Sequence, residues 1–291
     1  MPILAIANRK GGVGKSTVAT MIAYGLTLWA KQRVLLIDLD SQCNASLILF
    51  GGQNWKLARD KSQTIADYFS DRFNDADIDF RNYIFHEVGD VSNGTAKHPQ
   101  ISLVPGSVQM EDIEHELLHS VTRKTGDLAE AELGVVGRMS VMLKSLKRHY
   151  PMVIFDCPPG LSFATQAALE IADKVIVPFR PDYISQFAVD RISRMIEKKN
   201  DLPSVIAIPQ QDRRYTALAN FVSDDIGGQE RIQDIEDYHP TMKTRIPLDG
   251  QIAHAFGWRG NRVPIETKFG PAGTKVAQAL TEEIRTLLAL K

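Results

Sequence analysis

The sequence predicts an α/β fold, a doubly wound and mostly parallel sheet with helices on both faces. Two observations carry this reading. Short, bounded apolar runs recur at 3–7, 34–37, 101–104, 152–155, 174–178 and 204–208, and several are nearly continuous in Val, Ile and Leu, as strands buried on both faces are. Between them lie segments of helical periodicity, so strands alternate with helices and parallel neighbours are joined by crossovers. The 291 residues, with 44% hydrophobic and 24% charged side chains, have the composition of an ordinary globular protein. They read as one domain over 1–291, with a poorly patterned surface insertion around 71–99.

The first strand leads directly into RKGGVGKST at 9–17, and a helical segment follows over 18–29. Strand, glycine-rich loop, helix is the context in which such a loop cradles phosphates. Gly11, Gly12 and Gly14 lack a Cβ, so the backbone turns tightly and aims successive N–H groups inward. The helix N-terminus adds partial positive charge, Lys15 a full charge for the β- and γ-phosphates, and Ser16 a hydroxyl for Mg²⁺. The candidate nucleotide-binding set is Lys10, Gly11, Gly12, Val13, Gly14, Lys15, Ser16 and Thr17. The ordinary pattern GxxxxGK[ST] needs glycine at position 9, where this chain has Arg9; the pattern that fits is KGGxGK[ST]. Its extra lysine, Lys10, points out of its own loop and is placed to serve a neighbouring copy. KGGVGKST resembles the ParA/MinD group of deviant Walker ATPases, the deviant Walker A type of the P-loop NTPase fold. In that family the early lysine crosses a dimer interface and touches the partner's nucleotide.

The second strand ends in Asp38-Leu39-Asp40-Ser41-Gln42. Carboxylates at i and i+2 of a strand end point the same way, toward the sheet edge where metal and water gather beside a phosphate loop. The stretch resembles the family's DxDPQGN motif, with Ser41 for proline and Cys43 for glycine. The resemblance implies that Asp40 orients the hydrolytic water and Asp38 supports the metal site. A short helix is expected at 64–69 and surface connection at 73–99; the strand at 101–104 leads to a helix capped by Ser107. An amphipathic helix over 139–149 precedes the strand at 152–155, which ends in Asp156 and Cys157-Pro158-Pro159-Gly160. A buried strand ending in one aspartate can hold a magnesium-bound water, so Asp156 joins Ser16 and Asp38 as metal candidates. YPMVIFDCPPG is similar to the family's YDYIIIDCPPS.

A helix is expected at 183–196, whose start the family uses at its dimer interface. At the C-terminal end of the strand read at 204–208, Pro209 and Gln210 are the candidates for contacting adenine, as relatives place such groups there. Arg214 matches an arginine that ParA-like proteins use on DNA. TRIP at 244–247 resembles the family's TxIPRNVRLSEA block, and a GxPI-like turn at 261–265 precedes a closing helix at 271–288 that begins with proline. Where relatives carry arginines after that block, this chain reads Leu248-Asp249-Gly250-Gln251. The DNA-contact candidates are therefore Arg214, Arg245, Arg259 and Arg262, with Lys268 and Lys275 as further positive charge.

Net charge is −1, so the whole-molecule field does not hold nucleic acid unaided. The C-terminal third is uneven: 224–237 carries six acids against Arg231, and 243–275 six bases against Asp249 and Glu266. The two cysteines, Cys43 and Cys157, cannot build a disulfide framework or a four-thiolate metal site, and the cytoplasm is the expected compartment. No apolar run approaches 18 residues, and 281–291 lacks the basic amphipathic pattern of membrane-bound relatives. The N-terminus enters a strand at once, so neither a signal peptide nor a separate DNA-binding domain is expected before it. The resemblance implies a slow ATPase that uses ATP and Mg²⁺, dimerises with ATP bound and is stimulated by a ParB-like or cargo adaptor. It further implies non-specific DNA and the nucleoid as its surface, and no membrane. The alternative is an ATP-dependent metabolic ligase built on the same loop.

Overall fold

The computed structural model describes residues 2–74, 76–92, 99–145, 150–255 and 257–290. In chain order the elements to mid-chain are β1 (Ile3–Ile6), α1 (Lys15–Leu28), β2 (Val34–Asp38), α2 (Asn44–Asp60), α3 (Ile65–Phe73), β3 (Val91–Ser92), β4 (Ile101–Val104), α4 (Met110–Thr125), α5 (Leu128–Ser145) and β5 (Met152–Asp156). There follow α6 (Phe163–Ile171), β6 (Lys174–Phe179), α7 (Tyr183–Ile196), α8 (Leu202–Ile206), β7 (Tyr215–Val222), α9 (Ile226–Glu236), β8 (Ile246–Pro247), α10 (Gly250–His254), β9 (Val263–Pro264) and α11 (Ile265–Leu287). Seven strands form one sheet in the order β4-β2-β5-β1-β6-β7-β8, and every pairing in it is parallel. The doubly wound class expected from the sequence is the one observed.

Alternation along each strand divides the core in two. Ile3, Ala5, Leu35, Ile37, Val153 and Phe155 face a layer that includes α3, α5, α6 and α7. Leu4, Ile6, Val34, Leu36, Met152 and Ile154 face α1, the start of α2 and α11. The chain crosses from β1 to β2 on one side and from β5 to β6 on the other. The crevice at a doubly wound sheet's binding edge therefore lies at the C-terminal ends of β1, β2, β5 and β6.

Most expected elements appear within a residue or two. The helix read at 64–69 extends to Phe73 and is fixed by a reciprocal capping box between Thr64 and Asp67. The closing helix breaks at Gly270, with φ 72°, and resumes at Pro271 as the sequence implied. Residues 146–149 of the helix read at 139–149, and 75 and 93–98 of the insertion, lie outside the described residues. Within the rest of the insertion, 84–88 shields the sheet edge: Phe85 exchanges backbone hydrogen bonds with Leu103, and the Val88 N–H reaches the Ile101 carbonyl.

Two expectations fail. Ser107 does not cap the following helix; its hydroxyl accepts the Gln109 N–H in a turn, and α4 starts at Met110. The strand read at 204–208 is instead the short helix α8. Asp201 caps it through the Ser204 N–H, and Pro203 occupies its first turn, both helix-start signals that outweigh the β-branched composition. The sheet position belongs to β7, eleven residues further on.

Candidate functional site

The phosphate loop takes its shape from two glycines in left-handed backbone, Gly12 (φ 71°) and Gly14 (φ 83°). At Gly14 the space is also closed, because a Cβ would stand 2.3 Å from Asn220 Nδ2. That amide donates to the Val13 carbonyl at 2.8 Å, tying the loop to the end of β7. No side chain caps α1, so its first N–H groups point into the crevice. Lys15, Ser16 and Thr17 are all buried there.

Parallel pairing places Asp38 beside Asp156 across β2 and β5, and Ile6 beside Asp156 across β1 and β5. Asp156 is fully buried, and neither of its carboxylate oxygens has a hydrogen-bond partner; the buried Thr17 Oγ1 likewise has none. Burial raises the Asp156 pKa well above the usual carboxylate range, the neighbouring Asp38 adds to it, and the Ser16 hydroxyl and Lys15 ammonium do not offset it. A buried, unpartnered carboxylate facing a serine hydroxyl and a phosphate loop fits a hard divalent cation that takes oxygen ligands, such as Mg²⁺.

Asp38 does different work. Its carboxylate accepts the Ser46 N–H at 2.8 Å, the Ser46 hydroxyl at 2.6 Å and the Asp40 N–H at 3.1 Å. Burial still lifts its pKa to about 7 against those bonds. Asp38 therefore anchors the 40–46 loop through both of its carboxylate oxygens. Asp40 accepts the Gln42 N–H at 2.9 Å, and burial raises its pKa against that bond and the Lys15 charge. Lys15 is lowered from the ordinary lysine value by burial, although Asp156 and Asp40 pull it up.

Lys10 leaves its own loop. Its ammonium pairs with Asp182 at 2.5 Å and reaches the Ser185 hydroxyl at 3.4 Å, both at the start of α7. Lys15 donates to the Lys10 carbonyl at 3.3 Å, so the two lysines share one turn and diverge from it. Beside them α7 exposes Tyr183, Ile184 and Phe187.

Pro209 and Gln210 are not brought to this crevice. They precede β7, at the opposite end of the sheet from the phosphate loop, because 202–206 is helix. The residues that β7 does deliver are Asn220 and Phe221; the latter has φ 59° and packs under Arg180, 4.9 Å from its ring centroid. The bounded, mostly apolar run at 215–219 and its polar end, Asn220, were the available signal.

Arg214 is also displaced from its expected role. Its guanidinium donates to the carbonyls of Ile196, Leu169 and Ala172, closing the ends of α6 and α7. That leaves it no fork to offer a phosphate backbone. Arg245 is held by Glu236 at 2.9 Å and Gln229 at 2.8 Å. Arg259 and Arg262 are exposed on the loop before β9. Lys268 cannot supply surface charge, since it is buried against Asp90 at 2.6 Å.

The chain matches the family model described as AAA domain over residues 1–205. The sporulation initiation inhibitor protein Soj of Bacillus subtilis is 30% identical over 194 residues, covering 67% of this chain and 63% of Soj. A putative replication protein A of Rhizobium rhizogenes is 29% identical over 196 residues, or 67% of this chain and 44% of that protein. The chain thus spans less than two-thirds of the length of these relatives. Among solved structures, apo McdA of Cyanothece superposes with a TM-score of 0.70 at 16% identity, covering 98% of this chain and 99% of McdA. Loop, paired aspartates and sheet order agree with the match, and the chain belongs to this AAA domain family, in its ParA/MinD branch.

Proposed function

We propose that the protein is an ATP-dependent dimerising switch ATPase that partitions DNA or positions an intracellular cargo. The observation that carries this is Lys10, whose backbone belongs to the phosphate loop while its ammonium sits on α7, 2.5 Å from Asp182. A cation built into the loop yet directed away from it fits a second copy's triphosphate better than its own. In this reading Lys15 and the second copy's equivalent of Lys10 neutralise the phosphates, and Asp40 orients the attacking water. Ser16 and Asp156 would hold Mg²⁺, which when bound supplies charge neutralisation at the β- and γ-oxygens. Catalysis is then positioning and electrostatics, with no covalent step for the protein. Asn220 and Phe221 replace Pro209 and Gln210 as the groups proposed for the adenine side.

Because the site is completed across two copies, ATP binding and dimerisation favour each other, and hydrolysis releases the pair. A ParB-like or cargo adaptor that stimulates hydrolysis, the nucleoid as the surface and the cytoplasm as the compartment complete the proposal. Arg259 and Arg262, exposed on the loop before β9, are the candidates for non-specific DNA. Among the described residues no helix is long and apolar enough to cross a membrane. The test is sedimentation of Asp40→Ala with ATP and Mg²⁺, where a trapped dimer is expected; a monomer at saturating ATP contradicts the proposal. DNA retention by that dimer is expected to fall steeply between low and high salt. Retention that ignores salt or nucleotide contradicts the DNA arm.

A further inference from the structure

We propose that Glu114 is a positioning residue for ATP hydrolysis, its buried carboxylate holding the start of α6 and, through it, the 157–162 loop that runs from Asp156 across the phosphate loop. The inference rests on the ATPase reading above. The first turn of α6 presents the N–H groups of Phe163, Ala164 and Thr165, which have no partner within the helix. Ser162 takes the Thr165 N–H at 3.1 Å. Glu114, from α4, takes the other two: Phe163 at 3.1 Å and Ala164 at 2.8 Å.

Glu114 is only 6% exposed, and a carboxylate is seldom buried so far unless it is paired. Here its partners are charge-assisted N–H bonds at the positive end of a helix. The loop it anchors touches the nucleotide machinery at two points. Cys157 donates its N–H to the Ile6 carbonyl at 3.1 Å, and Gly160 donates to the Arg9 carbonyl at 3.2 Å, one residue before Lys10. One turn earlier on α4, Glu111 accepts the Ser41 hydroxyl at 3.0 Å, at the loop that begins with Asp40. A single helix therefore braces both loops that flank the reacting phosphate, while no α4 side chain touches the phosphate loop in any of these bonds.

The test is Glu114→Gln, which keeps the volume and one acceptor oxygen but turns an amide donor toward an N–H. With Mg²⁺ and ATP, kcat is expected to fall by about 10- to 100-fold, the scale of a small misplacement of catalytic groups, while KM for ATP changes little. Hydrogen exchange of 157–166 is expected to rise, with 2–30 unchanged. Ser162→Ala loosens the same helix start and is expected to show the same split in milder form, which keeps the test alive should Glu114→Gln not fold. Wild-type kcat with wild-type exchange in the folded variants overturns the proposal, as does a parallel loss of kcat, ATP affinity and global protection. A wild-type protein that binds ATP without turning it over contradicts the ATPase reading instead. The exchange at 157–166 then decides, by itself, whether Glu114 holds the loop.

Discussion

Lys15 is enclosed by Asp156 and Asp40, and burial has already lowered its pKa from the ordinary value. An ammonium in that setting gains strongly from arriving phosphate oxygens, so Lys15→Ala is expected to weaken ATP binding by at least about 100-fold, roughly 3 kcal/mol. Titration with a fluorescent ATP analogue measures it, and unchanged affinity contradicts the assignment. At Asp182, burial would raise the pKa, but the bonds from Lys10 and Ser185 outweigh it and hold the carboxyl below its usual value. A depressed folded-state pKa contributes stability above the unfolded value, about 4, which is lost as pH falls through the folded value. Asp182→Asn is therefore expected to melt below the wild type at pH 7 and to converge with it near pH 3. A gap that persists or widens in acid contradicts the pairing.

Among the elements, the central strands and the loop after β1 were legible because their apolar runs and glycines answer to local physics that nothing else in the chain overrides. Helix α7 was legible for the same reason, its bounds matching the sequence reading at both ends. Residues 202–206 were not, because Val205 and Ile206 invite a strand while Asp201 and Pro203 start a helix. That single exchange moved the adenine candidates to the wrong end of the sheet. The bonds of Glu114 and Arg214 were beyond the sequence altogether, since their partners lie 49, 50, 42 and 45 positions away. Helix α2 carries a comparable hidden contact: it kinks at Gly51, with φ 75°, where a Cβ would meet the Trp258 ring at 2.7 Å. Gly51→Ala is expected to cost about 1–3 kcal/mol in urea unfolding from the strained backbone and the clash; a loss within experimental error contradicts that contact.

At the scale of the whole molecule, Asp90 ties the insertion to both termini of the fold. Its carboxylate receives Lys268 at 2.6 and 2.8 Å, the Tyr24 hydroxyl at 2.8 Å and the Arg259 N–H at 2.9 Å, with Lys268 and Asp90 both buried. Removing one partner leaves a buried charge unpaired, so Lys268→Met is expected to lower unfolding stability by about 3–5 kcal/mol. A loss below about 1 kcal/mol by urea titration contradicts it. The most direct measurement is the specific ATPase rate against protein concentration for wild type and Lys10→Ala, with ATP and Mg²⁺ saturating. The wild-type rate is predicted to climb with concentration as pairs form, and the variant to stay low and flat while still binding ATP. Equal rates in both proteins, independent of concentration, contradict the claim that one copy completes the other's site.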